Sequence, residues 1–226
     1  MGRLMLLVGV VSVLLPGIAT ANGEGIRAIC GHRSLLACGK QIEPILLARH
    51  PEIASRNGDA LTLSVAEDKP VIFKNIDCKC ESSVEYHLVG RIQVESKPGY
   101  LLVGARRWEG HGYVLVHRAT GELLPVQSVP VVSPDGERFV DLSLDLEAGY
   151  LPNYIRIYRL AHAGQELEWS RSFPDSGPSD AVWLDSERLI LVENRISQVP
   201  EAPFGITRRA ILLTHEAGDW SLSPAK

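Results

Sequence analysis

The sequence predicts a mostly antiparallel all-β protein with a short helical segment near its N-terminus. Short β-rich runs alternate with Gly, Pro, Asn and Asp turns, helical periodicity is confined to one early stretch, and one turn recurs about every 40 residues. Of the 226 residues, 45% are hydrophobic and 22% charged, which indicates a globular chain. The net charge of −4 excludes a strongly basic protein that binds nucleic acid through its phosphates.

Residues 1–21 predict a bacterial export signal. Arg3 supplies a positive start, Leu4 to Leu15 form an apolar run, and Ala19-Thr20-Ala21 supplies small residues for cleavage. A membrane-spanning helix needs roughly 20 apolar residues, and this run is shorter. We therefore expect cleavage after Ala21, a periplasmic or secreted protein, and no stable membrane span afterwards.

The four cysteines, Cys30, Cys38, Cys78 and Cys80, are expected to form disulfides, because an even number of cysteines is typical of exported proteins. Cys78 and Cys80 would close a very small ring if they bonded to each other, so we expect each to bond to one of the two earlier cysteines. The alternative, a metal site that combines the thiols with His32 or His87, lacks a CxxC pair.

Residues 22–56 are predicted to be an N-terminal segment that these disulfides tether. Its helix is expected over roughly Gln41 to Ser55, where Ile42, Ile45, Leu46 and Leu47 lie on one face, and Pro44 and Pro51 limit its length.

Residues 57–226 are predicted to form a domain of four blade-like units. The turns that begin the units carry Gly58, Gly99, Gly136 and Ser186 at their tips, and glycine allows the positive φ of tight turns. The spacing of these turns is near that of propeller blades. The expected first strands are 60–65, 100–105, 138–144 and 188–193; the second are 71–74, 113–117, 154–159 and 209–214; and the outer ones are 123–129, 166–173 and 220–222.

The segment from Val132 to Val140, with the sequence VSPDGERFV, resembles the turn and following strand of bacterial TolB-like and WD40-like β-propeller repeats. This resemblance implies a small four-bladed propeller, or an incomplete one whose open edge residues 22–56 cover. It implies no catalytic residue. A β-sandwich is the alternative fold.

Three connections, 106–112, 145–153 and 194–207, are expected on one face of this scaffold, where loops of this kind bind ligands or partners. In the first connection, the guanidinium groups of Arg106 and Arg107 lie near the Trp108 indole and the His111 imidazole in sequence, and such groups can hold an anion or a sugar. The side-chain oxygens of Asp141, Asp145, Glu147 and Asn153 form a weaker candidate site for Ca²⁺, because no EF-hand spacing is present. The candidate binding residues are Arg106, Arg107, Trp108, His111, Asp145, Glu147, Tyr150, Asn153 and Glu193.

Catalytic motifs such as GxSxG, HExxH and the P-loop are absent from the sequence, so no catalytic residue and no cofactor is assigned. The expected function is an exported noncatalytic binding module for a protein, glycan or envelope partner. One alternative is a periplasmic hydrolase or lyase in which His111 meets Asp145, Glu147 and Glu193. Another is an accessory protein whose open sheet edge pairs with a second chain.

Overall fold

The structure is a computed structural model that describes residues 34–66, 69–94, 97–196 and 205–225. These residues form helix α1 (Gly39–Arg49) and four sheets. The first sheet contains β1 (Ala54–Asn57), β2 (Ala60–Leu63) and β3 (Val71–Lys74); the second contains β4 (Val84–Ile92), β5 (Tyr100–Arg107), β6 (Gly110–His117) and β7 (Leu123–Val126); the third contains β8 (Val131–Val132), β9 (Arg138–Ser143), β10 (Asn153–Ala161) and β11 (Gly164–Phe173); and the fourth contains β12 (Ser176–Trp183), β13 (Arg188–Ile196), β14 (Ile206–Glu216) and β15 (Asp219–Pro224).

Each sheet is an antiparallel meander whose strands follow chain order. The predicted all-β, mostly antiparallel class is therefore confirmed, and four small sheets replace the two larger ones of a sandwich. The predicted strand pairs lie inside these sheets. The strands that begin the four sheets, β1, β4, β8 and β12, had not been predicted, so the first sheet has three strands and the last three have four each.

Two of the turns that begin the predicted units share one hydrogen-bond pattern. The Oδ1 atom of Asp135 accepts the amide of Glu137 at 3.0 Å, and Oδ1 of Asp185 accepts the amide of Glu187 at 2.9 Å. An aspartate directly before the turn tip favours this bond, because its short side chain can accept the backbone amide two residues later. Gly136 lies at that tip with a φ of 70°. The similarity of the two turn sequences thus reflects a shared turn geometry.

The sheets pack against one another in chain order through three hydrophobic clusters. The first cluster joins α1 to the first and second sheets, the second joins the second and third sheets, and the last joins the third and fourth. Direct hydrogen bonds of 2.9 Å also cross between sheets, from the Tyr100 hydroxyl to the Gly164 carbonyl and from Trp183 Nε1 to the Val131 carbonyl. None of the three clusters contains residues of both the first and the fourth sheets.

Helix α1 starts at Gly39 and ends at Arg49, whereas the predicted range was 41–55. The helix cannot continue to residue 55, because Ala54 and Ser55 belong to β1. Its buried face contains Ile42 and Leu46, as the pattern indicated, but also Glu43. The Glu43 carboxylate is paired with the Arg56 guanidinium and accepts the Leu88 amide at 2.7 Å. A buried ion pair therefore joins the helix to the first two sheets.

The predicted disulfide pairing is wrong, because Cys78 and Cys80 are bonded to each other. Their Cα atoms lie 5.3 Å apart, a normal separation for a disulfide. Both lie in the bend between β3 and β4, and an antiparallel bridge between Ile76 and Val84 closes this bend. Cys38 is also disulfide-bonded, and Cys30 lies outside the described residues, as do the predicted export signal and residues 197–204.

Within the described ranges, no helix is both long enough and apolar enough to cross a membrane.

Candidate functional site

Open clefts lie between neighbouring sheets of the described residues, at the end of the molecule where the second strand of each four-stranded sheet turns into the third. We call this end the loop face. Three of these clefts are large, and a smaller one, about 280 Å³, includes Glu193 and Arg209. The Trp108 cleft, about 610 Å³, has walls from the first and second sheets and includes Arg106, Arg107 and Trp108. The Tyr150 cleft, about 520 Å³, lies between the second and third sheets. The Arg195 cleft, about 590 Å³, lies between the third and fourth.

The segment 106–112 is a tight hairpin rather than a long loop. Arg106 pairs with His111 and Arg107 with Gly110, so only Trp108 and Glu109 form the turn. Trp108 is 55% exposed, and both arginines and the imidazole are also exposed. The hairpin separates two clefts, because Arg106 and Trp108 line one of them, His111 lines the next, and Arg107 lines both.

The segment 145–151 forms a ridge between the Tyr150 cleft and the Arg195 cleft. The Asp145 carboxylate accepts four backbone amides of this ridge, those of residues 148 to 151, at 2.7 to 3.0 Å. These bonds, first of all the one from Leu151, hold the pKa of Asp145 below its usual range. One carboxylate therefore organises the whole ridge.

Asn153 closes the base of the same ridge. Its side-chain oxygen accepts the Asp145 amide at 2.5 Å, and the residue is buried. Tyr150 stands at the top of the ridge and is 76% exposed, whereas Glu147 is exposed but lines none of the three clefts. Asp145 and Asn153 thus shape the ridge, and Tyr150 is its most exposed large apolar side chain.

Glu193 belongs to a buried network rather than to an open loop. Its carboxylate accepts the Ser176 hydroxyl at 2.7 Å and pairs with Arg209 Nε, and Arg195 lies 3.9 Å away. Burial raises the pKa of Glu193, but the bonds from Arg209 and Ser176 outweigh it, and the pKa lies below its usual range. Arg209 also lies directly opposite Glu193 in the β13–β14 register.

Asp141 occupies the corresponding place in the third sheet. It lies opposite Arg156 on β10, is fully buried, and accepts the amides of Gln127 and Ser128 and the Tyr154 hydroxyl, all at 2.9 Å. Burial raises the pKa of Asp141 above its usual range, although these hydrogen bonds oppose the shift. Asp141 and Glu193 therefore have similar structural roles. Each lies on the second strand of its sheet and binds the chain at or just before the start of the first strand, at Ser128 and Ser176 respectively.

The constellation expected for a hydrolase is only partly assembled. His111 and Asp145 line the same cleft, but Asp145 already accepts four amides, and Glu193 is enclosed elsewhere with Ser176 and Arg209. Within the described part of the chain, no group of three or more His, Cys, Asp or Glu side chains is placed to hold a metal ion. Asp141 is likewise committed to other donors, which removes it from the Ca²⁺ ligand set considered above.

Several residues that line the clefts were not predicted. The connection Phe173-Pro174-Asp175 forms one wall of the Arg195 cleft, and Gln127 contributes to the Tyr150 cleft. A Pro-Asp pair before Gly177 is a turn signal. It would have indicated this connection if the strand that follows it, β12, had been recognised.

No family model, no curated protein and no solved structure matches this chain.

Proposed function

We propose that this protein is an exported binding module that holds a segment of another protein across its loop face. The ridge 145–151 would lie under the segment, with side chains of the partner in the Tyr150 cleft on one side and the Arg195 cleft on the other. The observation that carries the proposal is the ridge itself, which two clefts share and one carboxylate holds in place.

Exposed apolar side chains favour a polypeptide as the occupant. Tyr150 on the ridge is accompanied by exposed Leu144 and Leu151, and Ile196, which is 43% exposed, lines the far cleft. Clustered exposed apolar groups with a polar rim are typical of protein interaction sites. Both clefts are open, unlike the enclosed pockets that bury most of a small ligand.

The fixed ridge also supports a binding role. A loop that must become ordered on binding costs conformational entropy, which reduces the affinity. The four amides that Asp145 accepts already hold the ridge in one conformation before any partner arrives. Asp145 and Asn153 therefore contribute to binding by positioning Tyr150.

The location and the architecture belong to the same proposal. The signal-like residues 1–21 support export. Four meander sheets that pack successively, with α1 against the first two, support an incomplete propeller as the scaffold.

The test is photo-crosslinking in the producing cell. A benzophenone amino acid replaces Tyr150 in one variant and Leu184 in the control. Leu184 is also an exposed apolar residue, 48% accessible, but it lies in the β12–β13 turn at the opposite end of the fourth sheet. We expect a discrete protein adduct from position 150 only. Equal adducts from both positions, or none from position 150, would contradict the proposal.

A further inference from the structure

The Cys78–Cys80 disulfide lies at the surface, in the bend between β3 and β4. Cys78 is half-buried, whereas Lys79 and Cys80 are exposed. Cys38, in contrast, is disulfide-bonded and completely buried. Access of an attacking thiol to sulfur is a main determinant of disulfide exchange, and the exposure of Cys80 differs strongly from that of Cys38.

The bend does not depend on this disulfide for its shape. Ile76 and Val84 exchange both backbone hydrogen bonds, at 2.9 and 3.0 Å, and close the bend at its base. Ser83 donates its amide to the Cys80 carbonyl at 3.0 Å inside the bend. A disulfide between residues two apart also removes little chain entropy from the unfolded state, because that effect grows with loop length. A structural role therefore explains this bond poorly.

The Cys78 side of the disulfide borders the Trp108 cleft, which four cationic and three acidic side chains line. Cys78 lines this cleft together with Lys40, Lys79, Arg106 and Arg107. Asp59, Asp77 and Glu85 line it too, and Glu85 is paired with Lys40 at 2.8 Å and lies 4.0 Å from Arg106. Nearby cations lower the pKa of a thiol and stabilise the thiolate that leaves during exchange. The exposed Trp108 indole adds an apolar surface on which a protein substrate can rest.

We propose that Cys78–Cys80 is a thiol–disulfide exchange site that oxidises a dithiol in another protein. A substrate thiolate attacks the exposed Cys80 sulfur, the Cys78–Cys80 bond breaks, and Cys78 leaves as the thiolate beside the cations of the cleft. The second substrate thiol, as thiolate, then attacks the substrate sulfur of the mixed disulfide and Cys80 leaves. Two electrons pass from the substrate to the protein, the substrate gains a disulfide, and Cys78 and Cys80 end as thiols once protonated. This activity does not require the Tyr150 cleft to be occupied.

The experiment uses the purified oxidised protein and, as probe, a reduced synthetic peptide with two cysteines, mixed one to one without oxygen. Free thiols are then alkylated, and each cysteine is assigned by peptide mass spectrometry. We expect close to one equivalent of peptide disulfide per chain, with Cys78 and Cys80 alkylated at least tenfold faster than Cys38. Alkylation of Cys38 at the same rate, or no alkylation of Cys78 and Cys80 in the folded protein, overturns the proposal.

Two variants complete the test. The double variant Cys78→Ser with Cys80→Ser should keep the β-sheet circular dichroism spectrum and lose all oxidation of the peptide. Arg106→Gln, which removes one exposed cation of the cleft, should slow the exchange severalfold without changing its stoichiometry. Unchanged oxidation by the double variant contradicts the assignment. If the double variant does not fold, the relative alkylation rates in the wild-type protein decide the question alone.

Discussion

Glu43→Gln tests whether a buried ion pair holds α1 onto the first two sheets. Burial alone would raise the pKa of Glu43, but contacts with His87, with the Arg56 guanidinium and with the Leu88 amide lower it to about 2 from an ordinary 4.5. Each pKa unit corresponds to about 1.4 kcal/mol, so the ionised carboxylate stabilises the folded state by about 3 kcal/mol. Removal of one partner from a buried ion pair typically costs a similar amount, about 3 to 5 kcal/mol.

The pH dependence follows from the direction of this shift. Because the folded-state pKa is depressed, the stabilisation is fully present above pH 4.5 and is lost as the pH falls from 4.5 towards 2. Chemical denaturation followed by tryptophan fluorescence should give a free energy of unfolding about 3 kcal/mol lower for Glu43→Gln at pH 7. The difference from wild type should shrink by about that amount near pH 2.

The matched control is Glu52→Gln, just beyond the end of the helix. The Glu52 side chain is 65% exposed and lies 3.4 Å from His50, so its loss should change the free energy of unfolding by less than about 0.5 kcal/mol. If Glu43→Gln is as mild as this control at pH 7, or if its effect does not vary with pH, the ion pair does not hold the helix.

Five further substitutions, at four positions, test the ridge, one buried acid and two turns. Asp145→Ala should speed amide hydrogen exchange at residues 148–151 and leave the midpoint of global unfolding unchanged, because the four lost bonds lie within the ridge. Unchanged exchange at these residues would contradict the role of Asp145 in holding the ridge. Asp141→Ala should lower the free energy of unfolding by about 3 kcal/mol or more, because it leaves buried donors unpaired, whereas Asp141→Asn should lower it by about 1 kcal/mol. Equal losses for the two variants in chemical denaturation would refute this contrast. Gly99→Ala should lower the free energy of unfolding by at least about 2 kcal/mol, and Gly58→Ala should lower it by about 1 kcal/mol. Both glycines have a positive φ, but only at Gly99 would a Cβ meet a backbone carbonyl oxygen, at 2.6 Å. The reverse order in chemical denaturation would show that this contact does not determine the loss.

Of the four missed strands, β4 and β12 contain a register shift, β8 is very short, and β1 had been assigned to the end of the helix and the following turn. In β4 the pairing register shifts between Leu88 and Gly90, and in β12 it shifts between Pro178 and Asp180. A bulge interrupts the period of two on which strand recognition depends. Another missed strand, β8, has only two residues. The repeating turns were visible because their bonds are local.

The wrong disulfide prediction followed from the very small ring that a bond between Cys78 and Cys80 closes, which made a long-range pairing look more favourable. The bridge between Ile76 and Val84 folds the chain back and places both cysteines in one bend, but it depends on β4 being present.

The candidate site was predictable as a set of loops but not as a division of roles. Sequence alone marked Asp145, Tyr150 and Glu193 as polar or aromatic residues near connections. It could not show that Asp145 accepts the ridge amides or that Glu193 is buried against Ser176, which lies 17 residues earlier. Those roles depend on contacts between strands, whereas the exposure of Tyr150 follows from its place in a Gly-Tyr-Leu-Pro turn.

The most direct test of the central claim is the affinity of the protein that crosslinks at position 150 for three forms of this chain. Calorimetry would compare the wild type, Tyr150→Ala and Leu184→Ala. If the ridge is the binding surface, Tyr150→Ala should lose about 2 kcal/mol, roughly a 30-fold weaker Kd, as expected for an aromatic hot spot. Leu184→Ala should bind as the wild type does. Equal affinity of wild type and Tyr150→Ala, or a larger loss at Leu184, would contradict the assignment of function to the loop face.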